Sequence, residues 1–424
     1  MVGVGMSRVL PHDPVVPQRD DLLDAEAMRE RFAALLATGG LTAIEGCRRL
    51  SVRYYPGQFM QVLYAVDAGG TTHHVAARTF DSGARCEHEA REGERHGVAC
   101  GPLRPLAADP RLRTVYWTFP NDRALPSLPR LAGRSPTLAG LLGRPVDGRI
   151  VKYAPEVRAV ARCVDDAGTT VGYAKLYGPE AEDAHRIQEA VARRLADHEP
   201  TLRVPRVLGW SASDRIIVSE PVVGPRIRDL PPSALELGMQ RLGTGLARLH
   251  ALPAPPRLRY GGARPAKLRA AARLAAYAWP EGRDVIAELL RALIERWPAP
   301  EGPLACMHGD LNEANVVVED GRLAILDLDR FALGPAAADL GGGLARLRYE
   351  RRAGRLDQAR ERRLGAALLD GYAEAGTLPS AAALRWHTAA TLLTRRVAKT
   401  VVRVRAKRLG RLPGIIADAR ELLD

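Results

Sequence analysis

The chain has 424 residues, 46% hydrophobic, 26% charged and only 5% aromatic, enough for more than one core, since one core rarely grows past roughly 250–300 residues. No apolar run approaches the ~20 residues of a membrane span, and Met1–Pro17 lacks the charged and apolar regions of a signal peptide, so a cytoplasmic protein without membrane contact is expected. The formal charge of +13 raises polyanions as partners, yet nearly all of it is arginine; the lysines are Lys152, Lys175, Lys267, Lys399 and Lys407.

Abundant Ala, Arg, Gly, Leu and Pro with scarce lysine fits a coding bias better than a polyanion surface. Without a recognition motif, nucleic acid is not an expected partner. The five cysteines (Cys47, Cys86, Cys100, Cys163, Cys306) form no C-x-x-C pair, which argues against disulfides and zinc.

From Asp21 to Thr38 the apolar residues Leu22, Leu23, Met28, Phe32 and Leu35 have helical spacing. An internal repeat follows. Its first copy runs from Val52-Arg53-Tyr54-Tyr55-Pro56 through Gln61–Asp67 and a Gly-Thr-Thr turn to Val75–Phe80. The second runs from Val151-Lys152-Tyr153-Ala154-Pro155 through Ala159–Asp165 and Gly168-Thr169-Thr170 to Gly172–Tyr177. Each copy reads strand, Pro-containing loop, strand, turn, strand and charged helix, and each closes on an apolar strand leading into a turn, Thr114–Pro120 or Ile216–Pro221. Beyond Gly224 the pattern is helical over Leu235–Leu252, Ala266–Tyr277, Asp284–Arg296, Gln358–Ala375 and, with breaks, Ala381–Leu423, interrupted by a β-like stretch over Ala305–Phe331.

That stretch carries the chemistry. It reads Met307-His308-Gly309-Asp310-Leu311-Asn312-Glu313-Ala314-Asn315, then Leu323–Asp329, Gly334-Pro335 and Asp339-Leu340. Phosphoryl transfer needs positioning and charge neutralisation more than covalent help. A carboxylate can take the proton of an attacking hydroxyl. A carboxamide five residues on and a carboxylate after a short hairpin can hold magnesium, which prefers one or two carboxylates plus phosphate oxygens and water.

The stretch resembles the H-G-D-x-x-x-x-N and following I-D motifs of aminoglycoside phosphotransferases, choline kinases and related small-molecule kinases. The resemblance implies an α+β, two-lobe protein-kinase-like fold, with ATP and Mg2+ as cofactors and a small-molecule acceptor as partner. It implies Asp310 as catalytic base, His308 as loop support, Asn315 and Asp327 as metal ligands, and Asp339 as a structural aspartate. Lys175, in the third strand of the second copy, falls where the fold places its phosphate-binding lysine; Arg78 stands at that place in the first copy. The hinge match puts Ser219 and Val222 at the adenine, with Pro221 lacking the usual N–H donor.

The expected domains are a helical segment 1–42, a degenerate N-lobe-like domain 43–148, an N-lobe 149–224 and a helical C-lobe 225–424 with the catalytic hairpin 305–340. Ala154-Pro155-Glu156-Val157 has no glycine to cradle phosphate. Gln188 lies beside the buried stripe of its helix and Glu189 points away; either could face Lys175. Asp329 reads as a turn residue or an aid to the metal. The arginines after Leu340 (Arg346, Arg348, Arg351, Arg352, Arg355, then Arg395, Arg396 and beyond) favour a neutral or anionic acceptor. The expected function is ATP- and Mg2+-dependent phosphorylation of a small-molecule hydroxyl. The alternative is a nucleotide-binding or regulatory protein without turnover.

Overall fold

The computed structural model describes residues 10–38, 44–255, 258–299, 301–319 and 321–424. The expected boundary at 42/43 lies outside them. The chain divides into two compact units, residues 1–182, 208–219 and 401–406, and residues 183–207, 220–400 and 407–424. No helix among the described residues is long and apolar enough to cross a membrane.

The first unit opens with helices α1 (Arg19–Leu23) and α2 (Ala25–Leu35). They replace the single helix expected over 21–38. Asp24 is extended (φ −85°, ψ 106°), and its carboxylate accepts from the Glu26 and Ala27 amides at 3.0 and 3.1 Å, so it caps α2 and ends α1. Next come β1 (Ile44–Tyr55), β2 (Phe59–Ala68), β3 (Thr71–Thr79), α3 (Gly83–Glu94), β4 (Leu106–Asp109) and β5 (Thr114–Thr118). They form a five-stranded sheet in the order β1-β2-β3-β5-β4.

Strand β2 is buried along almost its whole length because both faces of the sheet are covered. Phe32 of α2 meets Tyr64 and Tyr116 edge-on at 5.2 and 5.3 Å. Cys86 and Ala90 of α3 pack with Phe80, Leu106, Val115 and Trp117.

A second sheet follows, with helix α4 (Pro136–Leu142) between its first two strands: β6 (Gly133–Arg134), β7 (Asp147–Ala154), β8 (Arg158–Val164), β9 (Thr170–Leu176), β11 (Val207–Ser211) and β12 (Ile216–Ser219); α5 (Ala181–His198) and the two-residue β10 (Leu202–Arg203), which fall between β9 and β11 in the chain, belong almost wholly to the second unit. Its order is β11-β12-β9-β8-β7-β6; apart from the added edge strand β6, this is the order of the first sheet. Leu125, Leu128, Leu131 and Leu138 cover its inner face against Ala161, Ala174, Ile216 and Val218. Strand β6 and helix α4 carry too few residues to show a period in the sequence.

The second unit is mainly helical: α6 (Pro232–His250), α7 (Pro265–Ala278), α8 (Arg283–Glu295), α9 (Ala336–Arg352), α10 (Gln358–Ala375), α11 (Ala381–Thr391) and, after a π-helical turn over Leu392–Val397, α12 (Ala398–Val402), α13 (Ala406–Leu409) and α14 (Leu412–Glu421), of which the end of α12 and the first residue of α13 are counted with the first unit. Between α8 and α9 lie β13 (Ala305–Met307), β14 (Val316–Glu319), β15 (Arg322–Ile325) and β16 (Ala332–Gly334). β14 pairs antiparallel with β15, which takes β10 in parallel on its other edge, and β13 pairs antiparallel with β16.

Helices α6 and α10 approach closely at two glycines. A Cβ on Gly371 would lie 1.9 Å from the Gln240 carbonyl oxygen, and one on Gly243 would lie 2.1 Å from that of Leu368. Overpacking of this kind costs about 1–3 kcal/mol. Gly371→Ala is therefore expected to lower stability by about that amount, read as a lower urea midpoint with an unchanged slope.

Candidate active site

The buried strand β13 ends at Met307 and delivers His308, Gly309 and Asp310 to the start of a loop. The loop is tied to a buried carboxylate in the first turn of α9. Asp339 accepts from the backbone N–H groups of His308 (2.8 Å) and Gly309 (2.9 Å), and its Oδ2 lies 3.3 Å from His250 Nε2. The other ring nitrogen of His250 lies 2.9 Å from the Tyr372 hydroxyl. Burial raises the Asp339 pKa, but the hydrogen bond to His250, the nearby imidazoles and the Gly309 amide outweigh it and hold the carboxyl below its ordinary value.

His308 is fully buried. The Asp310 N–H donates to its Nδ1 at 3.2 Å, so the ring proton sits on Nε2, which lies 2.9 Å from the Leu326 carbonyl and donates to it. The imidazole thus links the Asp310 loop to the strand end that carries Asp327. Gly309 has φ +77°, and a Cβ there would lie 2.3 Å from the Arg330 carbonyl oxygen. Only glycine suits that position.

Asp310 projects with its side chain about half exposed (49%). Its carbonyl accepts from the side-chain amides of Asn312 (2.7 Å) and Asn315 (3.1 Å). Asn315 thereby spends its side-chain NH2 on the loop, which leaves Oδ1 as the acceptor end of the carboxamide. The Leu326 N–H donates to the Asn315 carbonyl at 2.8 Å, which holds the two strands of the hairpin in register just before Asp327. Asp327 is left-handed (φ 66°, ψ 63°), and Asp329 sits in the 3-10 turn Leu328–Arg330 that follows.

Among the described residues no group of three or more His, Cys, Asp or Glu side chains is arranged to hold a metal. Asn315, just before β14, and Asp327, just after β15, supply one carboxamide oxygen and one carboxylate, donor types that suit an ion taking its remaining ligands from phosphate and water, as magnesium does.

Arg395 was legible only as one charge among many. Placed on the π-helical turn, it donates from Nη1 to Asp310 Oδ1 at 2.9 Å and from Nη2 to the Gly309 carbonyl. Burial and the neighbouring Arg330 lower its pKa, and Asp310 opposes them. Beside it, Arg396 has a buried Nε without a hydrogen-bond partner, and its guanidinium lies 5.7 Å from the Tyr349 ring centre. Burial, then Arg264, Arg330 and Arg395, lower the pKa of Lys267. His250 and Tyr372 were also missed, because their contacts span 89 and 122 residues of sequence.

The arginines on and just after α9 divide differently from the sequence expectation. Arg346 pairs with Glu313 in the Asp310 loop. Arg351 and Arg352 instead converge on Asp418, which is 1% exposed, at 3.0 and 2.6 Å, Arg348 and Arg351 share Glu361, and Arg355 holds Glu350. Those four arginines are engaged in ion pairs rather than massed for an acceptor.

Lys175 and Ser219 belong to the first unit. Lys175 lies in β9 with Val160 and Ile217 as cross-strand neighbours, its Nζ 4.8 Å from the Tyr177 ring centre. Ser219 ends β12 opposite Tyr173. In the second unit, the segment containing Pro221 and Val222 is anchored on both sides. Arg203 bridges Glu220 and Glu319 at 2.5 Å each, and the Val223 N–H donates to Glu319 at 3.2 Å. Gln188 donates to the Pro205 carbonyl at 2.8 Å, while Glu189 lies half exposed, 3.6 Å from His185.

Residues 161–378, just over half of the chain, match the APH model, described as the phosphotransferase enzyme family. The chain belongs to this family and is a small-molecule kinase. Its fold is similar to that of an amicoumacin kinase, hAmiN, with AMP-PNP, Ca2+ and Ami (13% identity, TM-score 0.49, covering 69% of this chain and 90% of that one). It is similar also to aminoglycoside phosphotransferase APH(3'')-Id from Streptomyces rimosus (21%, 0.43, 61% and 95%) and to a choline/ethanolamine kinase family protein from Mesorhizobium loti (18%, 0.44, 68% and 95%). No curated protein matches the sequence.

Because the Asp339 carboxyl is held below its ordinary value of 3.8, its contribution to stability is present above that pH and is lost as pH falls through the lower folded value. Asp339→Asn is expected to flatten this acid-side loss and to lower stability at pH 7 by about 2–3 kcal/mol. Urea melts from pH 7 down to about pH 3 would check both effects.

Proposed function

We propose that the chain transfers the γ-phosphate of ATP, with Mg2+, to a hydroxyl of a small molecule. The observation that carries this reading is the order built around Asp310. A half-exposed carboxylate is fixed from behind by His308 and Asp339, and it stands on the same hairpin as the Asn315 and Asp327 donor pair.

In this reading Arg395 engages Oδ1 of Asp310, which leaves Oδ2 for the acceptor. The hydroxyl gives its proton to Oδ2, its oxygen bonds to the γ-phosphorus, and the bond from that phosphorus to the ADP oxygen breaks. Arg395 then acts as a positioning residue. His308 keeps the loop in register, Asn315 and Asp327 are the metal ligands, and Lys175 is the residue for the nucleotide phosphates. The Ser219 carbonyl and Val222 are the groups for the adenine. Magnesium, when bound, neutralises charge on the phosphate oxygens.

A neutral or anionic acceptor, such as a sugar or a polyhydroxylated metabolite, fits the local charge best. The cations Arg395, Arg396, Arg330 and Lys267 crowd the Asp310 side of the second unit closely enough to perturb one another. A polycationic acceptor would add to that repulsion.

The test is acceptor-dependent ADP release across sugars, amino alcohols and antibiotics. Asp310→Asn is expected to lower kcat by about 10²–10⁴ while Mg2+-dependent ATP binding persists. Turnover that survives in Asp310→Asn would remove Asp310 from the mechanism. ATP binding with no turnover on any acceptor would favour a binding protein. Arg395→Ala is expected to shift preference toward cationic acceptors, and an unchanged ranking across the panel would contradict the charge argument.

A further inference from the structure

The two sheets of the first unit share more than strand order. In each, the hairpin between the first two strands is closed by three residues, Pro56-Gly57-Gln58 and Pro155-Glu156-Val157, with a left-handed middle residue (φ 68° and 58°). Each tip is held by one aspartate placed before its repeat. Asp13 accepts from the Tyr54 hydroxyl (2.5 Å) and the Gly57 N–H (2.8 Å), and through its other oxygen from the Val15 and Val16 amides. Asp122 accepts from the Tyr153 hydroxyl and the Glu156 N–H (both 2.8 Å), and through its other oxygen from the Ala124 and Leu125 amides.

The hairpins before β5 and β12 also correspond. Arg113 and Arg215 are both left-handed, and their carbonyls accept from Phe80 and Tyr177. This register places Arg78, between Gln61 and Val115, where the second sheet has Lys175, between Val160 and Ile217.

The two copies differ in what these positions hold. Glycine is the natural occupant of a left-handed tip, and a non-glycine residue there costs roughly 1–2 kcal/mol. The second tip nevertheless carries Glu156, whose side chain is only 10% exposed. One of its carboxylate oxygens accepts from Arg78 Nη1 (2.9 Å) and the other from Arg123 Nε (2.9 Å). Arg53 donates to the neighbouring Pro155 carbonyl at 3.3 Å. The Arg78 guanidinium lies 3.5 Å from the centre of the Phe59 ring, and its buried Nε has no hydrogen-bond partner. So the arginine equivalent to the phosphate-binding lysine already holds an anion, and that anion is the hairpin tip of the second sheet.

We propose that the first sheet is an internal anion receptor. Arg78 and Arg123 grip the Glu156 carboxylate and so set the position of the Pro155–Val157 loop over the nucleotide. Kinase folds cover the phosphates with the loop between their first two strands and contact them with a lysine on the third. In this chain the covering loop has no glycine, and a docked glutamate fixes it in place. Glu156 and Arg78 are positioning residues for nucleotide binding. The inference rests on the reading of the second sheet as the nucleotide-binding one.

The experiment measures the Kd and KM for MgATP, and kcat, in the full chain and in Glu156→Gln, Arg78→Ala and the double variant. Each single variant is expected to raise Kd and KM about tenfold and to change kcat at saturating ATP by less than twofold, with the double variant no worse than either alone. Glu156→Gly removes the carboxylate while relieving the left-handed strain, so it keeps the test valid if Glu156→Gln folds poorly. Amide hydrogen exchange over residues 154–158 is expected to quicken in every variant. If the wild type binds ATP and the variants bind it equally well, the receptor falls and the phosphotransferase reading stands. If the wild type binds no ATP, both fall together.

Discussion

The candidate site depends on one buried carboxylate. Asp339 takes two successive backbone amides, those of His308 and Gly309, and lies against His250. An aspartate at 5% exposure would be costly without such partners. With them it becomes a rigid post at the start of α9, and it fixes where the chain leaves β13. The direction of Asp310, the left-handed Gly309 and the contact of His308 with Leu326 all follow from that attachment. Asp339 therefore shapes the Asp310 loop from behind, through the backbone amides of His308 and Gly309.

Much of this was legible in the sequence because the loop is local. His308 to Asn315 is one short stretch, and the apolar run ending at Asp327 is the next strand, so residue order alone predicted their adjacency. The strand repeats were readable for the same reason: alternation, a turn and a third strand lie within a few tens of residues. Helices with a clear apolar stripe, such as Gln358–Ala375, matched the structure to the residue. The helix expected over 21–38 was broken by Asp24, whose cap outweighs a continuous apolar period.

Partner choice at long range was not legible. Arginine is so common here that no single one stands out. Arg395 reaches Asp310 across 85 residues, and Arg351 and Arg352 reach Asp418 across 67 and 66. A charge count assigned them one role; the structure separates a group that braces α9 against α14 from one that touches the Asp310 loop. Glu156 was hidden in a different way. It looked like a missing glycine, and its meaning depends on Arg78 and Arg123, which lie 78 and 33 residues away along the chain.

Asn315 and Asp327 are proposed as the metal-and-phosphate end of a nucleotide site whose loop is held from behind by Asp339. The most direct measurement is calorimetric titration of ATP into the purified chain, with Mg2+ and with EDTA, in the wild type and in Asp327→Asn. Binding is expected to require Mg2+ in the wild type and to be lost or weakened at least tenfold in the variant, with the melting temperature unchanged. Binding that is indifferent to both Mg2+ and Asp327 would contradict it.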